Sequence, residues 1–203
     1  MPVGFIGLGA LGAAIAGRLQ GQGEELIVWN RTTAKAEASG ATIASSPADL
    51  ISRVDTCFVC LFDSEAVQAV LTGENGLLVG DCRGKLMIDL TTNHFQPVVS
   101  FHETVTNRGG QYLECPVFGS VVPASKGTLT LVASGEQAAF DRARPLLAKF
   151  GQHIFHLPQP GLATRMKLVN NLLLGTFMAS IAEAVSLAEA AGIPKETVLD
   201  ILP

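Results

Sequence analysis

Val3-Gly4-Phe5-Ile6-Gly7-Leu8-Gly9-Ala10-Leu11-Gly12 opens the chain with an apolar run that ends in three glycines spaced G-x-G-x-x-G. The run reads as a buried strand, and Ala13 to Leu19 behind it reads as a helix. Between the two, the glycines meet three demands of a dinucleotide site. Gly7 permits the tight strand-to-helix turn, Gly9 lets the backbone approach a pyrophosphate, and Gly12 lets the helix pack close to the strand. The helix start adds free N–H groups and a partial positive charge for phosphate. Leu8, Ala10 and Leu11 complete the candidate loop.

A second strand, Leu26-Ile27-Val28-Trp29, runs into Asn30-Arg31-Thr32. That lies close to the roughly 20-residue spacing of the ribose-reading position. An NAD site wants a carboxylate there. Asn30 repels no 2′-phosphate, the Arg31 guanidinium can pair with one in a forked geometry, and Thr32 and Thr33 add hydroxyls. The expected cofactor is NADPH.

Working outward, strand patterns fall at 3–7, 25–30, 41–43, 55–61, 86–90, 111–115, 127–133 and 152–156. Helical patterns fall at 11–21, 33–39, 47–53, 64–71, 95–108 and 136–149. The alternation predicts an α/β fold of Rossmann type, a doubly wound, mostly parallel sheet with helices on both faces. The closer spacing of the later strands allows some to be antiparallel. After Gly161, Leu162 to Ala191 is broken only by Gly175 and reads as one long helix, apolar all round in its middle and therefore expected to be buried on every side. Its apolar core is shorter than the roughly 20 residues of a membrane span. Gly192-Ile193-Pro194 ends it, and a further helix starts at Lys195. Residues 1–160 are read as an NADP-binding Rossmann domain, and 161–203 as a connecting helix that begins an all-α domain.

The 203 residues are 48% apolar with a formal charge of −4, and Lys and Arg are scattered, so neither a nucleic-acid partner nor a membrane is expected. No secretory leader precedes the first strand, and the four cysteines read as reduced thiols of a cytoplasmic protein. Cys57-Phe58-Val59-Cys60 resembles a metal or redox pair, but residues three apart on a strand face opposite ways. His153 and His156 fall under the same geometry, and His94 and His102 read as exposed helix residues, so no metal is expected. On the long helix, Lys167 and Asn171 are four apart and share a face. Two polar residues on an apolar helix are costly unless they find partners or a task.

Together these stretches resemble the β-hydroxyacid dehydrogenase family, of 3-hydroxyisobutyrate dehydrogenase type, and within it the glyoxylate and succinic semialdehyde reductases. The resemblance rests on Gly7 to Gly12, Val28-Trp29-Asn30-Arg31-Thr32, Ile88-Asp89-Leu90-Thr91-Thr92, Glu114-Cys115-Pro116-Val117-Phe118-Gly119-Ser120-Val121-Val122-Pro123-Ala124 and Lys167-Leu168-Val169-Asn170-Asn171, in family order. It implies that Lys167 is the catalytic lysine and Asn171 its helper, both also touching substrate. It further implies that Thr92 lies near the nicotinamide and the substrate, that Leu61 lines the cofactor cleft, and that Phe118-Gly119-Ser120 forms the substrate-carboxylate loop.

Two departures stand out. The substrate loop usually begins with Ser, and here begins with Phe118, which removes a donor and adds a ring. Family members also continue through a larger helical domain that is absent from these 203 residues. The expected activity is NADPH-dependent reduction of a small aldehyde acid, or the reverse oxidation of a 3-hydroxy acid. The alternatives are an imine reductase, or a cofactor-binding and dimerisation module without turnover. The long helix is apolar on every face and lacks the domain that should cover it, which predicts a homodimer or higher oligomer through that helix.

Overall fold

A computed structural model describes residues 1–202. The chain forms two compact units, Met1–Lys167 and Leu168–Pro203. In the first, β1 (Val3–Ile6), α1 (Ala10–Gly21), β2 (Leu26–Trp29), α2 (Thr33–Glu37) and β3 (Thr42–Ile43) wind outward in one direction. Then α3 (Pro47–Ser52), β4 (Thr56–Val59), α4 (Ser64–Thr72), β5 (Leu86–Asp89), α5 (Phe95–Thr106) and β6 (Gln111–Glu114) wind outward in the other. The strands lie in the order β3-β2-β1-β4-β5-β6, all parallel. The order reverses between β1 and β4, and ligands of open α/β sheets bind at such a switch point, outside the carboxyl ends of the strands.

Past β6 the sheet changes character. β7 (Val117–Phe118), α6 (Val121–Lys126), β8 (Leu129–Ser134), α7 (Gln137–Leu147) and β9 (Gly151–Leu157) follow. β8 runs antiparallel to β6 and β7, and β9 parallel to β8. The architecture is the doubly wound, mostly parallel sheet expected from the alternation.

Both faces of the sheet are covered, so the central strands are apolar except at their ends. Phe5, Phe58, Ile88 and Leu113 pack with Ile15, Leu19, Ala139 and Leu147 on one side. Ile6, Cys57, Val59, Met87 and Tyr112 pack with Leu50, Val67, Leu71 and Phe101 on the other. Each such large side chain removed from water contributes about 1.5–3 kcal/mol. Cys57 and Cys60 do face opposite cores, and all four cysteines are free thiols. Burial pushes the Cys60 thiol up to about 12, so it is inert as a nucleophile near neutrality.

One expectation is corrected. His102 is buried, not exposed: Val98, Phe101, His102 and Val105 occupy i, i+3, i+4 and i+7 of α5, the stripe that faces the sheet. The long helix is α8 (Leu162–Ala190). Its residues Leu172, Leu173 and Leu174 are 72%, 69% and 55% exposed, so burial on every side is not achieved within this chain. Among the described residues it is also the one helix long and apolar enough to cross a membrane, with mean hydropathy 1.4. α9 (Lys195–Ile201) completes the second unit.

Candidate functional site

The glycine turn after β1 is built as its chemistry demands. Gly7 has φ +94°, and a Cβ there would lie 2.1 Å from the Cys60 carbonyl oxygen. A Cβ on Gly12 would lie 2.0 Å from the Gly7 carbonyl. Above Gly9 nothing lies within 4 Å of where a Cβ would stand. Two glycines are thus required for packing, and the third leaves an open approach to the backbone. Gly9 also caps α1 without any side-chain hydrogen bond, whereas Ser46 and Asp63 cap α3 and α4 with theirs. The first turn of α1 therefore keeps its N–H groups for a ligand.

The end of β2 is tied to this turn. Asn30 Oδ1 accepts from the Leu8 N–H at 2.8 Å, and Asn30 Nδ2 donates to the Thr32 carbonyl at 2.9 Å. Asn30 thus spends its amide on holding two loops together. Leu8 itself is buried, while Arg31 and Thr32 are exposed.

A cleft of about 560 Å³ opens between these loops and the start of α4. It brings together Gly7, Gly9, Ala10, Leu11, Gly12, Asn30, Arg31, Thr32 and Leu61 from the sequence analysis. Lys35 and Phe62, which that analysis missed, also line it. Lys35 lies on α2, four residues after Arg31, which precedes the helix. Phe62 is 94% exposed at the cleft, directly after the last strand residues that the apolar pattern had marked. Cleft size falls within the range of small-molecule and cofactor sites.

Below the cleft a buried carboxylate sets the loops. Asp89, fully buried at the end of β5, accepts from the Thr91 N–H at 2.9 Å, Asn93 Nδ2 at 2.6 Å and the Tyr112 hydroxyl at 2.5 Å. Thr91 Oγ1 in turn accepts from the Leu61 N–H at 3.0 Å. The next residue, Thr92, is exposed and lies outside the cleft lining. Burial holds the Asp89 carboxyl above the usual carboxylate range, with its hydrogen bonds opposing the shift.

A second corner forms where α8 leaves the sheet. Glu114, fully buried at the end of β6, accepts from the Gly161 N–H at 2.5 Å, from the Thr164 hydroxyl and from the Ser134 hydroxyl. Ser134 Oγ also accepts from the Ala163 N–H at 3.1 Å. A carboxylate bonded to the first turn of a helix satisfies its orphan donors and complements its dipole. Burial nonetheless raises the Glu114 pKa.

One turn on, Lys167 is half-buried, and its Nζ lies 4.8 Å from the centre of the Phe118 ring. Burial lowers the Lys167 pKa from its ordinary value. Gly119, at φ +129°, and Ser120, which caps α6, are exposed beside it. Asn171, four residues along α8, is exposed and belongs to the second unit. Among the described residues no cluster of His, Cys, Asp or Glu could hold a metal ion.

Fold and cleft together define a nicotinamide-dinucleotide-binding domain. Residues 2–158 match the model of the NAD binding domain of 6-phosphogluconate dehydrogenase, and the chain belongs to that family. It is 36% identical to glyoxylate/succinic semialdehyde reductase 1 of Arabidopsis thaliana, over all of this chain and 71% of the relative. It is 35% identical to the cytokine-like nuclear factor N-PAC of Xenopus tropicalis, over 98% of this chain. The chain spans only 38% of that relative's length. The solved structure of Psf3 in complex with NADP+ and 2-OPP superposes with a TM-score of 0.90 at 34% identity, covering 98% of this chain and 72% of that one.

Proposed function

We propose that the chain forms the cofactor-binding and proton-donating part of an NADPH-dependent oxidoreductase. It reduces a small aldehyde acid, of glyoxylate or succinic semialdehyde type, to the hydroxy acid, and in reverse oxidises a 3-hydroxy acid. The observation that carries this reading is Lys167, an amine half-buried beside the substrate-loop position, with no carboxylate paired to it among the described residues.

The chemistry that NADPH supplies when bound is hydride transfer to the carbonyl carbon. Gly9 and the first turn of α1 would hold the pyrophosphate, and Arg31, Thr32 and Lys35 would hold the 2′-phosphate. As negative charge develops on the carbonyl oxygen, the Lys167 ammonium stabilises it and gives up a proton. An N–H bond breaks, an O–H bond forms, and the neutral amine regains a proton from water. A lysine with a lowered pKa releases that proton more readily near neutrality. Asn171 orients the lysine or the substrate, and Thr92, Gly119 and Ser120 supply hydrogen bonds to the substrate. The naming of the plant relative as a glyoxylate/succinic semialdehyde reductase supports this substrate class. The Psf3 complex with NADP+ supports the choice of cofactor.

The ring of Phe118 favours one second reading, a hydrophobic imine as substrate. Following NADPH consumption with succinic semialdehyde, glyoxylate and a cyclic imine separates the two. Turnover of the aldehydes supports the reductase reading, and turnover of the imine alone replaces it. NADPH binding without turnover of any of them would leave a cofactor-binding module.

The assembly belongs to the same proposal: a cytoplasmic homodimer formed through α8. Covering 1,000 Å² of apolar surface contributes on the order of 25 kcal/mol before the opposing entropy. Light scattering is expected to give a dimer, and replacing Leu173 and Phe177 with Glu a monomer or an aggregate. A stable monomer of the unmodified chain would refute it.

A further inference from the structure

We propose that Phe118 is a positioning residue for the amine of α8: its ring face, 4.8 Å from Lys167 Nζ, holds the ammonium at the end of β7 by a cation–π contact where an acidic partner is lacking. The inference rests on the reading of Lys167 as the proton donor, and goes beyond it by saying what aims and charges that donor.

Each side of the contact is fixed. Phe118 pairs with Thr130 of β8, and Val117 before it is buried, so the ring hangs from a sheet rather than from a free loop. The turn after it is equally constrained, since a Cβ on Gly119 would meet Leu129 at 2.7 Å. On the other side, Glu114 grips Gly161 and Thr164, which sets the rotation of the first turns of α8. The segment 114–118 therefore holds the helix twice, by a carboxylate at its start and by an aromatic face at Lys167.

Among the described residues the alternative ways of fixing an ammonium are absent. Among the described residues Lys167 makes no salt bridge. Of the charged groups on the neighbouring elements, Glu114 of β6, Lys126 of α6 and Arg165 of α8, none perturbs its pKa, which burial alone lowers. A carboxylate in the place of the ring would hold the proton tightly and repel an anionic substrate. A ring face within about 6 Å attracts the cation more weakly than a carboxylate does, and the attraction strengthens when the pair is desolvated. It keeps the amine charged against burial yet leaves the proton transferable.

The direct test is titration of the Lys167 amine by NMR in the NADPH-bound chain, with Lys167→Arg used to assign the signal. Phe118→Leu keeps the apolar bulk and removes the ring, and is expected to lower the Lys167 pKa by about half a unit to one unit. Phe118→Tyr keeps the ring face, and is expected to stay within about 0.2 unit of the parent. Graded fluorination of the phenylalanine at position 118 alone preserves shape and drains the ring face. The pKa should then fall stepwise with fluorine number, which covers the case in which Phe118→Leu does not fold. The alkaline limb of kcat should move with the pKa, while KM for NADPH stays constant. An unchanged pKa across the fluorinated series, or equal falls in Phe118→Leu and Phe118→Tyr, would overturn the proposal. Absence of turnover with a shifted pKa would instead sink the reductase reading and leave this contact standing.

Discussion

The Leu8 N–H donates to Asn30 Oδ1 at 2.8 Å, so the side chain that ends β2 holds the glycine turn that follows β1. This bond separates two roles that adjacent residues could be thought to share. Asn30→Ala frees a buried donor and is expected to cost about 1–3 kcal/mol of stability and to weaken NADPH and NADH alike. Arg31→Ala touches no such bond. It should leave NADH binding nearly unchanged and remove most of an expected tenfold preference for NADPH, about 1.4 kcal/mol. Titration of Trp29 fluorescence with both dinucleotides reads the two effects. Equal losses for both cofactors in Arg31→Ala would contradict the assignment.

The three glycines should part company on mutation. Gly9 has φ −67° and open space above it, so Gly9→Ala is expected to fold with a melting temperature near that of the parent. Its methyl group stands where the pyrophosphate must approach, and NADPH affinity should fall at least about tenfold. Gly12→Ala meets the Gly7 carbonyl at 2.0 Å and should destabilise the fold itself by about 2 kcal/mol or more. Thermal unfolding with and without NADPH distinguishes them. A Gly9→Ala variant that binds NADPH normally would remove the loop from the site.

His102 predicts an acid limit. Its Nε2 has no hydrogen-bond partner, and burial lowers its pKa to about 4 from the ordinary 6.5. The unfolded chain protonates this ring as pH falls through 6.5, while the fold resists until about 4. Stability is therefore lost progressively across that window, by up to about 3 kcal/mol. Asp89 and Glu114, whose carboxyls burial raises, act in the opposite direction. They are common to parent and variant, so they drop out of the difference. Urea unfolding should show His102→Phe gaining on the parent between pH 7.5 and pH 4.5. A difference that does not change with pH would mean that the ring is already solvated.

These cases show what could be read in advance. The central strands were legible because burial on both faces writes them as apolar runs, as in Leu86 to Ile88 and Cys57 to Val59. The glycine turn was legible because its steric demands are local. His102 was misread because a polar residue on a core stripe looks like a surface residue until the stripe is counted. The work of Asp89 and Glu114 was invisible because their partners, Tyr112, Ser134, Gly161 and Thr164, come from distant segments. β7 and α6 were not among the expected elements. The meeting of Phe118 with Lys167 depends on β7, which sets the ring, and on Glu114, which sets the helix.

Phe118 also bears on substrate choice. Where the resembling reductases carry Ser, the ring offers no hydrogen bond to a substrate carboxylate, and longer or more apolar aldehydes should be preferred to glyoxylate. Phe118→Ser is expected to raise kcat/KM for glyoxylate above that of Phe118→Leu, which lacks the ring equally but adds no hydroxyl. No gain, or a loss, would mean that the carboxylate is held elsewhere.

The central claim is that Lys167 delivers the proton to the reduced carbonyl, and steady-state turnover of Lys167→Ala tests it most directly. With NADPH and succinic semialdehyde at neutral pH, kcat is expected to fall by roughly 10²-fold or more, as loss of a general acid does, with NADPH affinity nearly unchanged. A variant that keeps near-normal kcat would make Lys167 a structural residue and move the weight to the imine reading.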